Sequence, residues 1–167
     1  MKKRIAIVPG SFDPITNGHL YIINKAAQEY QTVYVAIMIN PKKSYMFDIE
    51  ERKIIATAAT KGISNVKVIS SEGWLWKLAV ELDANAIVKG YRNDIDLEYE
   101  KDMAKFNEEH APNTKTVLIK ADPSLKELSS TAIREKIVNE ISLEGYLPED
   151  AIIEIKKIQN NKKKAES

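Results

Sequence analysis

The stretch from residue 4 to residue 20 constrains this 167-residue chain more than any other. Arg4 to Pro9 reads as a short apolar strand, and an amphipathic helical pattern begins near Leu20. Between them lies Gly10-Ser11-Phe12-Asp13-Pro14-Ile15-Thr16-Asn17-Gly18-His19. A strand that feeds a helix through such a turn places the turn at the carboxyl edge of a parallel sheet. There, backbone N–H groups and the positive helix end face any bound anion. Gly10 and Gly18 allow close backbone approach, Ser11 and Thr16 add hydroxyls, and His19 adds an imidazole. The junction is therefore read as a polyphosphate site. It matches neither G-x-x-x-x-G-K-[ST] nor G-x-G-x-x-G, which disfavours a Walker-type NTPase and the dinucleotide fingerprint.

The remainder of the chain alternates strand-like and helix-like patterns, the signature of an α/β fold with a mainly parallel sheet. Five strands are predicted: Arg4 to Pro9, Thr32 to Asn40, Val66 to Ser70, Ala86 to Lys89 and Thr116 to Lys120. Helical spacing links Leu20, Ile23, Ala27 and Tyr30, and then Ile54, Ile55 and Ala58 behind the capping-box pair Asp48 and Glu51. Further helices are predicted from Trp74 to Leu82, from Ile95 to about Glu109 and from Thr131 to Ile141. A C-terminal helical extension follows Pro148 and carries Ile152, Ile153 and Ile155. No linker or repeat divides the chain, so one domain is expected over residues 1–160, with 161–167 a frayed basic tail.

Composition narrows the function classes. A net charge of +1 exerts no long-range pull on nucleic acid or anionic membrane. With no cysteine, disulfides, thiolate metal sites and cysteine nucleophiles are excluded. The apolar run from Val33 to Ile39 is far shorter than the roughly 20 residues that span a bilayer. The start, Met1-Lys2-Lys3-Arg4, has no apolar signal region. A cytoplasmic protein without nucleic-acid or membrane partners is expected.

Thr16-Asn17-Gly18-His19 resembles the T-x-G-H form of the nucleotidyltransferase motif (H/T)-x-G-H. The longer string is similar to G-[ST]-F-D-P-x-T-N-G-H of the phosphopantetheine adenylyltransferase family. Similar blocks recur at Asn40-Pro41-Lys42-Lys43, at Met46-Phe47 through Glu50-Glu51-Arg52, and at Lys89-Gly90-Tyr91-Arg92 with Asp96-Leu97-Glu98-Tyr99-Glu100. They recur again at Asn107, at Leu128-Ser129-Ser130-Thr131 and at Leu147-Pro148-Glu149. The resemblance implies a Rossmann-like arrangement with helices on both faces of the sheet. It also implies adenylyl transfer from ATP to 4'-phosphopantetheine, magnesium carried with ATP rather than by a nameable protein metal site, coenzyme A as a feedback ligand, and a homohexamer.

Residue by residue, the resemblance implies that His19 stabilises the transition state and that Ser11 contacts both ATP and the acceptor. Lys43 and Lys89 would bind the acceptor phosphate, and Leu75 and Asn107 would lie along the acceptor. Phe12, Gly90, Tyr91, Arg92, Glu100 and residues Leu125, Lys126, Glu127, Leu128, Ser129, Ser130 and Thr131 would contact ATP. The chain departs from the family in three places. Lys89 stands where arginine is usual, Leu125-Lys126-Glu127 replaces an aromatic-serine-aromatic segment, and Trp76 replaces a smaller residue.

Spacing alone leaves plainer readings open: Lys42 and Lys43 as a wet loop pair, Glu98 and Glu100 as a solvated helix face, Ser129 as an N-cap. Two rival functions also stand. One is a related nucleotidyltransferase of nicotinamide mononucleotide or cytidylyl type, which usually carries histidine where Thr16 stands. The other is a noncatalytic nucleotide-binding or coenzyme A sensing module.

Overall fold

The computed structural model describes residues 4–125 and 128–167. Its elements, in chain order, are β1 (Ile5–Gly10), α1 (Asn17–Glu29), β2 (Thr32–Ile39), α2 (Ile49–Thr60), β3 (Val66–Glu72), α3 (Leu75–Glu81), β4 (Ala86–Tyr91), α4 (Asp94–His110), β5 (Lys115–Lys120), a single 3-10 turn (Pro123–Leu125), α5 (Ser130–Val138) and α6 (Glu149–Glu166). The five strands form one parallel sheet in the order β3-β2-β1-β4-β5, the expected Rossmann-like arrangement.

Period-two alternation in the strands builds two cores. Ala6, Val8, Val33, Val35, Ile37, Ala86 and Val88 face one side, where Leu20, Ile23, Ile55, Ile133 and Ile155 close over them from α1, α2, α5 and α6. Ile7, Ala36 and Ile87 face the other side, under Leu78 and Ala79 of α3 and Ala111 after α4. Helices therefore cover both faces, and the strands read as nearly continuous apolar runs, as parallel strands do.

The strand order reverses between β1 and β4, and there the sheet opens. β1 stays in register with β2 as far as Gly10 opposite Ile37, and β4 with β5 as far as Tyr91 opposite Lys120. Between β1 and β4 only Ala6–Ala86 and Ile7–Ile87 are paired. Pro9 supplies a reason. Ile5 donates its N–H to Asn85 Oδ1 at 2.8 Å and accepts from the Asn85 N–H at 2.8 Å, whereas the Arg4 carbonyl accepts from Thr32 on the β2 side. By alternation Ile5, Ile7 and Pro9 turn their backbone polar groups toward β4. Pro9 has no N–H to continue that ladder, so the strands part above Ile7.

α6 continues through residues 161–166, where the sequence reading placed a frayed tail. Its buried Ile152, Ile155 and Ile158 anchor the helix. Lys162 Nζ lies 3.1 Å from Glu51 Oε1 and Lys163 Nζ lies 3.2 Å from Glu140 Oε1, and both cations suit the negative helix end. Among the described residues no helix is long and apolar enough to cross a membrane.

Candidate active site

The opening between β1 and β4 is a cavity of about 460 Å³ whose walls include Pro9 and Gly10 of β1, Lys89 and Gly90 of β4, His19 of α1, Glu100 of α4 and Ser129 and Ser130 at α5. Parallel α/β folds bind ligands at this position, where adjacent strand exits diverge and helix starts converge.

His19 is held by a capping box in which an imidazole takes the place usually filled by Glu. The Thr16 hydroxyl accepts from the His19 N–H at 3.4 Å, while the Thr16 N–H donates to His19 Nδ1 at 2.9 Å. With Nδ1 accepting, the neutral ring carries its proton on Nε2, which is the nitrogen left to serve the cavity. Phe12 packs edge-on at 5.0 Å between ring centroids. Burial lowers the His19 pKa from 6.5 to about 4. The unfolded chain then binds this proton more readily than the folded one between those two values. The stability tied to His19 is therefore complete above about pH 6.5 and declines as pH falls toward 4. The chain has two histidines, so the check is direct: NMR titration should find the His19 resonance with a midpoint far below 6.5, and a midpoint near 6.5 would contradict this environment.

Gly90 sits in tight packing. A Cβ there would stand 3.0 Å from both Cγ1 and Cδ1 of Ile22, so a side chain at this position would require the Ile22 side chain of α1 to shift by a few tenths of an ångström. On either side of Gly90 the cations are paired with acids of α4. Lys89 Nζ approaches Glu100 Oε2 to 2.6 Å, and Arg92 Nε approaches Asp96 Oδ2 to 3.2 Å. Glu100, read from its pattern as part of a solvated face, is thus a cavity-wall residue.

At α5 the plain N-cap reading and the anion-site reading coexist. Ser129 Oγ accepts from the Ala132 N–H at 3.1 Å, and Ser130 Oγ donates to the Pro14 carbonyl at 2.9 Å. The Ser130 hydroxyl ties the helix start to the β1–α1 turn, while Ser129 satisfies Ala132; the other first-turn N–H groups, which have no acceptor within the helix, are donors an anion could meet. Gly18 belongs to the same junction, since a Cβ there would lie 3.3 Å from the Leu128 carbonyl oxygen.

Of the sequence candidates, Phe12, His19, Lys89, Gly90, Arg92, Glu100, Leu125, Leu128, Ser129 and Ser130 line this cavity. Ser11, Lys43, Leu75, Tyr91, Asn107 and Thr131 stand outside its walls. Lys43 is exposed on the β2–α2 loop, which leaves the same rim of the sheet. Leu75, the first residue of α3, packs against the second core, and Asn107 is buried in α4. The exposed Trp74 lies against Phe106 at 5.5 Å, and Trp76 stacks on His110 at 5.1 Å. Lys126 and Glu127 lie outside the described residues.

Sequence reasoning missed the residues that brace these loops. Asp13 is buried, and its carboxylate accepts from the N–H groups of Met46 and Phe47, both at 2.9 Å. Arg52 is also buried. Its Nη1 donates to the Ser11 carbonyl at 3.0 Å, and its guanidinium lies 3.8 Å from the Tyr45 ring centroid. Arg134 Nη1 donates to the Asp13 carbonyl at 2.9 Å and Nη2 to Thr131 Oγ1 at 3.0 Å. Arg52 stands in a charged helical stretch, and no local pattern marks its burial.

Among the described residues no three His, Cys, Asp or Glu side chains converge as a metal site.

A family model described as cytidylyltransferase-like matches residues 7–136. The chain is 43% identical over 145 residues to the phosphopantetheine adenylyltransferase of Lactobacillus acidophilus, which covers 86% of this chain and 90% of that one. It is 39% identical over 158 residues to the protein of that name from Clostridium tetani (95% and 99% covered). It is 36% identical over 165 residues to that of Streptococcus equi subsp. zooepidemicus (98% and 99% covered).

Proposed function

This chain belongs to the phosphopantetheine adenylyltransferase family, nucleotidyltransferases that move the adenylyl group of ATP onto 4'-phosphopantetheine, and on that premise we propose how its own side chains do so. The products are dephospho-coenzyme A and pyrophosphate, and the reaction is the penultimate step of coenzyme A synthesis. The observation that carries the assignment of roles is the common cavity: the His19 imidazole, the Lys89 ammonium and the start of α5 all line it, although they belong to distant parts of the chain.

A phosphate oxygen of the acceptor attacks the α-phosphorus in line. One P–O bond forms, the bond from the α-phosphorus to the bridging oxygen breaks, and pyrophosphate departs with that electron pair. No protein base is required, because the second pKa of a phosphate monoester is near 6 and the attacking oxygen is ionised at neutral pH. Catalysis then consists of positioning and charge stabilisation. His19 offers its Nε2–H to charge that grows on the phosphate oxygens, and Ser11 supports the same group. Lys43, from the exposed loop, and Lys89, from the cavity wall, hold the acceptor phosphate. Phe12, Gly90, Tyr91, Arg92, Glu100, Leu125, Lys126, Glu127 and Leu128 serve the nucleotide. Ser129, Ser130 and Thr131 present the start of α5 to the pyrophosphate. Leu75 and Asn107 serve the pantetheine arm. Magnesium carried with ATP would neutralise triphosphate charge, with no protein ligand assigned to it.

The test is pyrophosphate release with ATP and a panel of acceptors. Turnover is expected with 4'-phosphopantetheine and not with nicotinamide mononucleotide. Turnover with the latter alone, or with neither, would overturn the assignment. We further propose a cytoplasmic homohexamer that binds coenzyme A as a feedback ligand. Sedimentation and a coenzyme A titration check those two points, and a monomer or an absence of binding would refute them.

A further inference from the structure

We propose that Glu100 is the internal counter-ion of Lys89: it fixes the ammonium at the cavity wall and masks it from small dianions, favouring an acceptor that also binds through its organic arm. The proposal deepens the functional reading above and rests on its assignment of Lys89 to the acceptor phosphate.

Three observations carry it. The Lys89–Glu100 contact is 2.6 Å long, and the two side chains are only 25% and 14% exposed, so water screens the pair poorly. Glu100 Oε2 is buried and has no hydrogen bond of acceptable angle, so the ammonium beside it is its compensation. α4 repeats the arrangement one turn earlier with Asp96 on Arg92. The walls thus carry Lys89 and Arg92 against Asp96, Glu100 and Asp122, leaving no excess of positive charge for a phosphate.

An ammonium has three N–H donors, so Lys89 can stay paired by charge with Glu100 while turning N–H groups to a phosphate. A bound dianion then lies near a carboxylate, and that like-charge contact weakens its hold. An acceptor with an arm offsets the loss through contacts elsewhere, whereas inorganic phosphate has none to add. Glu100 is therefore a positioning and specificity-determining residue acting through Lys89.

The experiment is calorimetric titration of inorganic phosphate into the nucleotide-free full-length chain. Glu100→Gln is isosteric and removes the charge, and it should tighten phosphate binding by about tenfold or more. In a Lys89→Met background the same change should gain nothing, a non-additivity that isolates the pair. The Ki of phosphate against 4'-phosphopantetheine should fall in parallel. Damage to the fold would weaken binding rather than tighten it, and a thermal melt identifies such damage separately. Unchanged or weaker phosphate affinity in Glu100→Gln, or an equal gain without Lys89, would overturn the proposal. The titration needs no turnover, so its outcome is distinct from the acceptor-panel result that tests the reaction itself.

Discussion

His19→Ala should lower kcat by about 10²- to 10³-fold while changing the dissociation constant for ATP by only a few-fold. The imidazole is a neutral donor, because its burial lowers the pKa to about 4 and its Nδ1 is committed to the Thr16 N–H at 2.9 Å. A neutral donor adds little to the binding of a ground-state polyphosphate. It contributes most when negative charge accumulates on the oxygens in the transition state, and being fixed beforehand it needs no reorganisation at that moment. The substitution also removes half of the capping box and leaves the Thr16 N–H unpaired, a stability cost of about 1 kcal/mol that denaturant titration would register. His19→Asn separates the two effects, since an amide can still accept from Thr16 while its reach toward the phosphates is shorter. Undiminished kcat in the alanine variant would remove His19 from the mechanism.

Asp13→Ala should destabilise the chain by about 2–4 kcal/mol and raise KM for the acceptor more than it lowers kcat. The carboxylate satisfies two N–H groups, those of Met46 and Phe47, and neither has another acceptor once it is removed. Each orphaned buried donor costs about 1–3 kcal/mol. The effect on KM follows from where those donors lie. Met46 and Phe47 end the loop that carries Lys43, and Asp13 belongs to the turn that carries Ser11 and His19, so its side chain fixes one phosphate-handling loop against the other. Arg52 makes a second tie between the same loops through the Ser11 carbonyl and the face of Tyr45. Asp13→Asn retains one accepting oxygen and should fall between wild type and alanine in both measurements. Wild-type denaturation and an unchanged acceptor KM in Asp13→Ala would show that the loops are held by other contacts.

Much of this was legible before the fold was known. The capping box at Asp48, the N-cap at Ser129 and the alternation of the strands are produced by residues within four positions of each other, and all are present. The cavity-lining set also followed largely from the motif blocks, because the loops that leave one edge of a parallel sheet share a rim. Charge pairing was not legible. Glu98 and Glu100 read as a solvated face because helical spacing records which residues share a side of a helix and not what that side meets. Nor did any local pattern mark the burial of Arg52 under Tyr45. The outermost turns of α6 read as frayed because three successive lysines say nothing of Glu51 or Glu140, against which two of them lie.

The amino-acid order by itself determined the strand–turn–helix junction, the pairing of Thr16 with His19 across the first turn of α1, and the absence of thiol chemistry, since each depends only on residue identity or on neighbours a few positions apart. Tertiary structure alone decided that Lys89 faces Glu100 and that Asp13 holds residues 33 and 34 positions away. The physical reason is range. Backbone periodicity is local, whereas the burial that gives a charge its partner is created only when distant segments close over it.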